Sequence, residues 1–282
     1  FTVQRSADSG ATGSGAALLE VDGKILVDNG VSVANVPAVA VTTKSSQEFG
    51  FAISKWTGNG VDGARIYHGM PGADKGMIIV KNYSDTAQTP WWAVYHTGLS
   101  SNKNLGLNSD FAEFDETTLT LGIFEDVNNL SFKATAGGAG HKTANQSNGQ
   151  HVCYAWAPRE GYSAFGSSKG TGYSDNRAPY IYLGFKPRMI WIKSRTLAHD
   201  WVVFDSERGF QNPVDQITFL NQPLADAAVH SGDTNTGDLD FDILSNGFKF
   251  RTANHAVNKG SSDTYIYCAW AELPFASNSR AR

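Results

Sequence analysis

Met77-Ile-Ile-Val-Lys81 is followed by Trp92-Ala-Val-Tyr-His96 and later by Val152-Cys-Tyr-Ala-Trp-Ala157; the three return as Met189-Ile-Trp-Ile-Lys193, Trp201-Val-Val-Phe-Asp205 and Tyr267-Cys-Ala-Trp-Ala271. Lys81 recurs at Lys193, Trp92 at Trp201 and Trp156 at Trp270. An interval of about 110 residues is too long for a solenoid repeat and close to the size of a domain with its own core. The pattern reads as a tandem duplication of one module. A residue kept in both copies serves the shared fold, whereas a residue present in one copy is free for another task.

The apolar runs around these landmarks are short and separated by Gly, Asn, Asp or Pro. They mark strands at 76–83, 91–96, 103–108, 118–124, 129–134 and 150–157, then at 180–185, 188–195, 200–207, 217–221, 241–251 and 264–272. No segment sustains helical periodicity, so the crossover helices that a parallel sheet needs are missing. The expected fold is all-β: two tandem homologous antiparallel β-sandwich modules, jelly-roll-like, at 49–160 and 161–282, behind a stem at 1–48. In the stem, Leu18-Leu-Glu-Val21 and Lys24-Ile-Leu-Val27 flank Asp22-Gly23, a preferred hairpin turn, and 31–44 reads as an extended linker or edge strand. A second hairpin is expected around Asn246-Gly247.

With 282 residues, 41% of them hydrophobic and 18% charged, the chain can bury two cores. A net charge of −4 without any concentration of Lys and Arg argues against nucleic acid or an anionic membrane as partner. Glycine and aromatic residues are plentiful, and no apolar run reaches the roughly eighteen residues of a membrane helix, so a soluble or virion-borne protein is expected. The chain opens at Phe1 without a signal-peptide pattern, so processing or an upstream segment is expected. Cys153 and Cys268 lie in matching runs but one step out of register, which favours two small buried side chains over a disulfide.

Three motifs imitate chemistry. Gly58-Asn-Gly60-Val-Asp-Gly63 matches a dinucleotide fingerprint, but Gly69 and Pro71 preclude the helix whose N-terminus would hold the pyrophosphate. Gly166-Ser-Ser168-Lys-Gly170 matches the nucleophile elbow of hydrolases, yet no buried strand and helix flank it, so it reads as a solvated turn between modules. The run from Asp233 to Asp242 supplies oxygens at Asp233, Asn235 and Asp238 that could hold Ca2+, but it departs from an EF-hand loop at its sixth and twelfth positions. No paired carboxylates or His motif stand out, so no cofactor and no catalytic residue are expected.

The two copies differ where it matters for binding. Trp92 corresponds to Trp201, and both are read as core anchors; the neighbouring Trp91 corresponds to Asp200. Successive strand residues face opposite sides, which puts Trp92 and Val94 inward and Trp91, Ala93 and Tyr95 outward. Trp91, Tyr95 and His96 are therefore the candidate surface for a packing interface or a sugar-stacking platform.

Trp56-Thr-Gly-Asn-Gly60, His68-Gly69, the Ile78-Ile-Val-Lys81 and Trp92–His96 runs, Tyr154-Ala-Trp-Ala157, Gly161-Tyr-Ser163, Gly184-Phe185, Asn246-Gly-Phe248 and Tyr265-Ile-Tyr-Cys-Ala-Trp-Ala271 together resemble the duplicated module of bacteriophage tail-fibre-like structural proteins over residues 49–275. Leu19 to Val27 resembles the closing strands of a laminin-G or concanavalin-like sandwich. The resemblance implies a virion protein without catalytic residues, extracellular and carried on a tail appendage in preference to the capsid surface. It further implies other virion proteins as partners, a homo-oligomer with a trimer favoured, and contact with host-surface polysaccharide or receptor. A capsid decoration or head-fibre protein and a tailspike-like glycan hydrolase are the alternatives.

Overall fold

The computed structural model describes residues 20–21, 24–25, 38–84, 92–114, 124–134, 143–208, 211–214, 216–223, 239–254 and 256–275. The first half contains β1 (Glu20–Val21), β2 (Lys24–Ile25), β3 (Val41–Ser46), β4 (Phe51–Thr57), β5 (Ala64–Tyr67), β6 (Met77–Asn82), β7 (Trp92–His96), β8 (Leu105–Gly106), β9 (Phe124–Glu125), β10 (Ser131–Ala134) and β11 (Gln150–Trp156). The second contains β12 (Ser163–Lys169), β13 (Tyr180–Tyr182), β14 (Pro187–Ser194), β15 (Val202–Asp205), β16 (Thr218–Phe219), β17 (Phe241–Leu244), β18 (Gly247–Phe250) and β19 (Thr264–Ala271). The fold is all-β and antiparallel, and the one short 3-10 turn among the described residues is Ala73–Lys75.

Four sheets form. One has eight strands, β1-β2-β3-β4-β11-β6-β7-β8, and one has five, β12-β19-β14-β15-β16; the other two are β5-β10-β9 and β13-β18-β17. From β4 onward the second half repeats the strand order of the first, with β4-β11-β6-β7-β8 matched by β12-β19-β14-β15-β16. A buried asparagine recurs with it. Asn145 Oδ1 accepts from Asn59 N–H and its Nδ2 donates to Val61 O, while Asn258 Oδ1 accepts from Thr171 N–H and its Nδ2 donates to Tyr173 O. Each asparagine holds a matching loop, the one between β4 and β5 or the one between β12 and β13, where Gly60 and Gly172 sit at φ of 71° and 70°.

Strand alternation divides the apolar residues among three layers. Ile78 and Val80 of β6 point into a core under β5 and β10 with Trp56, Ile66 and Phe132. Ile190 and Ile192 of β14 do the same in the second half, with Phe204, Phe241 and Phe248. The opposite faces meet each other: Met77, Ile79, Val94 and Leu105 pack against Trp201, Ile266, Cys268 and Trp270. Two sandwiches thus lie with their large sheets face to face. This explains why Met77 to Val80 is apolar without alternation, since both faces of β6 are buried. Trp270 is the hub of the shared layer, meeting Trp191, Phe165 and Trp156 edge-on at 5.0, 5.8 and 6.4 Å.

Several expectations are corrected here. Trp92 and Trp201 do not anchor their own cores; both face the layer between the halves, Trp201 fully buried and Trp92 partly so. Ala93 is buried in the first core, and Tyr95 packs against that core while staying partly exposed. The stem boundary at 48 cuts through a sheet, because β3 pairs with β4 from Val41↔Trp56 to Ser46↔Phe51. Residues 166–169 are strand, not a solvated turn: β12 pairs with β19 along its length, and the Tyr267 ring lies against Gly166. In the second hairpin Gly247 already pairs with Leu244, and its need for glycine comes from packing, since a Cβ there would sit 2.0 Å from Ile181 O. The first hairpin pairs Val21 with Lys24, and its turn lies outside the described residues. Both cysteines are free and buried, Cys153 in the first core and Cys268 in the shared layer.

Candidate functional site

Three segments converge at one end of the first sandwich: the turn after β7, the turn after β9 and β10. They enclose a half-open groove of about 520 Å³ lined by Tyr95, residues 99–103, residues 125–127 and Lys133.

The turn after β7 is fixed from within and from the other half. His96 Nδ1 accepts from Gly98 N–H at 2.9 Å, and Ser100 donates its N–H and hydroxyl to the Glu113 carboxylate at 2.9 and 2.7 Å. Arg195, on the second half, donates from Nη1 to Gly98 O at 2.8 Å and accepts at its own carbonyl from Glu113 N–H at 2.8 Å. One rim of the groove therefore depends on both halves being docked. Across the groove, Asp126 sits at φ 45° and takes Arg65 and Lys133 as ion-pair partners, the latter at 3.2 Å. Desolvation works to raise the pKa of Asp126, and the hydrogen bond from Lys133 with the charges of Arg65 and Lys133 outweighs it, so the carboxyl stays ionised. Tyr95 donates its hydroxyl to Asp74 O at 2.6 Å, and burial with the nearby Asp74 charge pushes the phenol up to about 12, keeping it protonated.

The groove thus presents ammonium groups (Lys103, Lys133), carboxylates (Glu125, Asp126), hydroxyls (Ser100, Ser101) and an amide (Asn102) beside the apolar Leu99 and Val127. Donors and acceptors of both signs in a small space match a polyhydroxylated ligand better than a phosphate or an apolar molecule.

Of the residues the sequence singles out, Tyr95 lines this groove. His96 lies behind it, fully buried, with Nε2 directed at Tyr267 O at 3.1 Å; it bridges the two halves and offers no surface to a ligand. Burial lowers its pKa to about 4 against the raising effect of the Tyr267 hydrogen bond, so the ring is neutral. Trp91 and the proposed calcium ligands Asp233, Asn235 and Asp238 lie outside the described residues. Among the described residues no group of three or more His, Cys, Asp or Glu is placed to hold a metal ion. Sequence reasoning missed the 99–103 turn, Asp126 and Lys133, because they match no motif and are distant in the chain. One signal was available: Gly98-Leu-Ser-Ser-Asn-Lys103 has no counterpart after Asp205, where Ser-Glu-Arg follows.

The profile of one sequence family, described as a domain of unknown function (DUF7483), matches residues 21–274. No curated protein and no solved structure matches the chain. No helix among the described residues is long and apolar enough to cross a membrane.

Proposed function

This chain belongs to the DUF7483 family, and we propose that it is a non-enzymatic structural and adhesive protein of a bacteriophage tail fibre that holds a host-surface glycan in the groove beside Tyr95. The observation that carries the glycan reading is the groove itself, mixed in charge and rich in hydroxyl and amide groups, with its rim tied down by Glu113 and Arg195. A rim ordered before binding spares the ligand the cost of ordering it. The tail-fibre assignment rests on the resemblance of the repeated landmarks, and a tandem duplication accounts for the repeated strand order and asparagine bracket.

Purified protein is expected to bind host cells or isolated surface polysaccharide saturably and without shortening it. Ser101→Trp, which fills the groove from an exposed position, should abolish binding and leave the circular dichroism spectrum unchanged. Steady release of oligosaccharide would overturn the non-enzymatic reading in favour of a tailspike-like hydrolase. Binding that Ser101→Trp leaves intact would remove the groove from the mechanism. Labelling on intact particles separates tail from capsid, and signal on the shell would replace the fibre assignment with decoration.

A further inference from the structure

β12 ends its sheet. Among the described residues no strand lies beyond it, whereas β4, its counterpart in the repeated strand order, is covered by β3 over six paired positions. Antiparallel ladders alternate, each residue bonding to one neighbour or the other. Gly170 N–H donates to Asp263 O and Ala271 N–H to Tyr162 O, so the even-numbered residues of β12 bond to β19. Phe165 and Ser167 therefore turn their backbone N–H and C=O outward, and Lys169 its N–H, while the Lys169 carbonyl accepts from the Ser168 hydroxyl at 3.2 Å. Their counterparts Ile53 and Lys55 in β4 face Lys44 and Thr42 of β3. At Ser163 the outward groups are already taken by Arg159.

An open edge is ordinarily kept short, charged or interrupted by proline. The other strands at sheet edges follow that rule and span two to four residues: β1, β5, β8, β9, β13, β16 and β17. β12 has seven residues, contains no proline, and carries its one charge at the end, on Lys169. Its sequence is also self-complementary. In the antiparallel register centred on Gly166, Gly166 faces itself across a two-fold axis and Phe165 faces Ser167 of the other copy in both directions. Beyond this Lys169 would reach Ser163, whose edge Arg159 occupies, so the ladder is confined to Phe165, Gly166 and Ser167, where no like charges meet and no two bulky side chains collide.

We propose that β12 pairs with β12 of a second copy of this chain, joining two five-stranded sheets into one across a two-fold axis. Two-fold self-pairing is the commonest closed form of association, and main-chain hydrogen bonds from Phe165 and Ser167 supply its specificity. The inference is independent of what fills the groove.

Sedimentation equilibrium of the full chain over a dilution series, with amide hydrogen exchange, tests it. The expected mass is twice that of the chain, with the Phe165 and Ser167 amides protected in the dimer and exposed on dilution, while Ala164 and Ser168 stay protected by β19. Ser167→Pro, which removes an outward N–H, should halve the mass and leave the circular dichroism spectrum that of the folded chain, with a melting temperature equal to that of the native chain diluted to monomer. If that variant fails to fold, the exchange pattern of the native chain decides. A monomer at all concentrations would overturn the proposal, whether its Phe165 and Ser167 amides exchange freely or are covered by the chain's own residues. So would any other stoichiometry, a dimer in which those amides exchange freely, or a folded Ser167→Pro variant that remains dimeric.

Discussion

Trp92 and Trp201 take the same place in the repeated strand order and are held the same way. Each donates its backbone N–H to an asparagine side chain, Asn108 and Asn221, at 3.0 and 2.9 Å. Their indoles then part company. Trp201 Nε1 donates to Gly106 O in the other half at 2.9 Å, whereas the Trp92 ring lies under Lys81 Nζ at 5.2 Å and stays partly exposed. Trp201→Ala should cost roughly 3–5 kcal/mol in chemical denaturation, and Trp92→Ala distinctly less. Equal losses would show that the two sites are buried alike. Asn145 and Asn258 stand out next. Replacing either with Ala removes the hydrogen bonds that hold half-buried backbone groups of its loop and should cost about 1–2 kcal/mol, with equal penalties in the two halves within error. A neutral result at either position would mean that water replaces the bracket.

At the scale of elements, the turns that follow β5 and β7 share one device. His68 and His96 each accept at Nδ1 from the N–H two residues on, and each directs Nε2 at a carbonyl, Asn128 O and Tyr267 O. Burial holds both pKa values near 4, against about 6.5 in the unfolded chain. Between those values the unfolded chain binds protons that the folded chain does not, so stability falls with pH from about 6.5 down to about 4 and levels off below. By about pH 5 the loss is on the order of 2 kcal/mol per ring, and His96→Gln should remove its share; urea titrations at about pH 7 and 5 read this directly. No change between the two would contradict neutral, buried rings. Lys193 behaves in the same sense at higher pH. Buried, and donating to Asp110 O and Ser194 O, it has its pKa lowered to about 7, so stability should rise from about pH 7 to about pH 10 and Lys193→Met should flatten that rise.

The elements also mark what a single sequence discloses. β6, β7, β11, β14 and β19 were legible because they are apolar and recur. β4 and β12 were not, since Ser54, Gly166 and Ser168 fill positions that face inward and blur the alternation of apolar residues. Alternation gives two faces but not what each face meets, so the shared layer was invisible and Trp92 was assigned to the wrong core. The groove was invisible for a related reason: its walls come from segments about 30 residues apart that only the sheet topology brings together.

On the scale of the whole molecule, the central claim is that the two sandwiches are one mechanical body, joined by an apolar layer that also sets the groove rim through Arg195. Arg195→Ala, a change in the second half, should therefore weaken glycan binding in the first while leaving both cores intact; unchanged affinity in a titration would separate the rim from the interface. The claim itself is tested most directly by differential scanning calorimetry of the intact chain. One transition, with calorimetric and van't Hoff enthalpies equal and with both halves losing stability together in Trp201→Ala, is the expected result. Two separable transitions, of which Trp201→Ala moves only one, would contradict it.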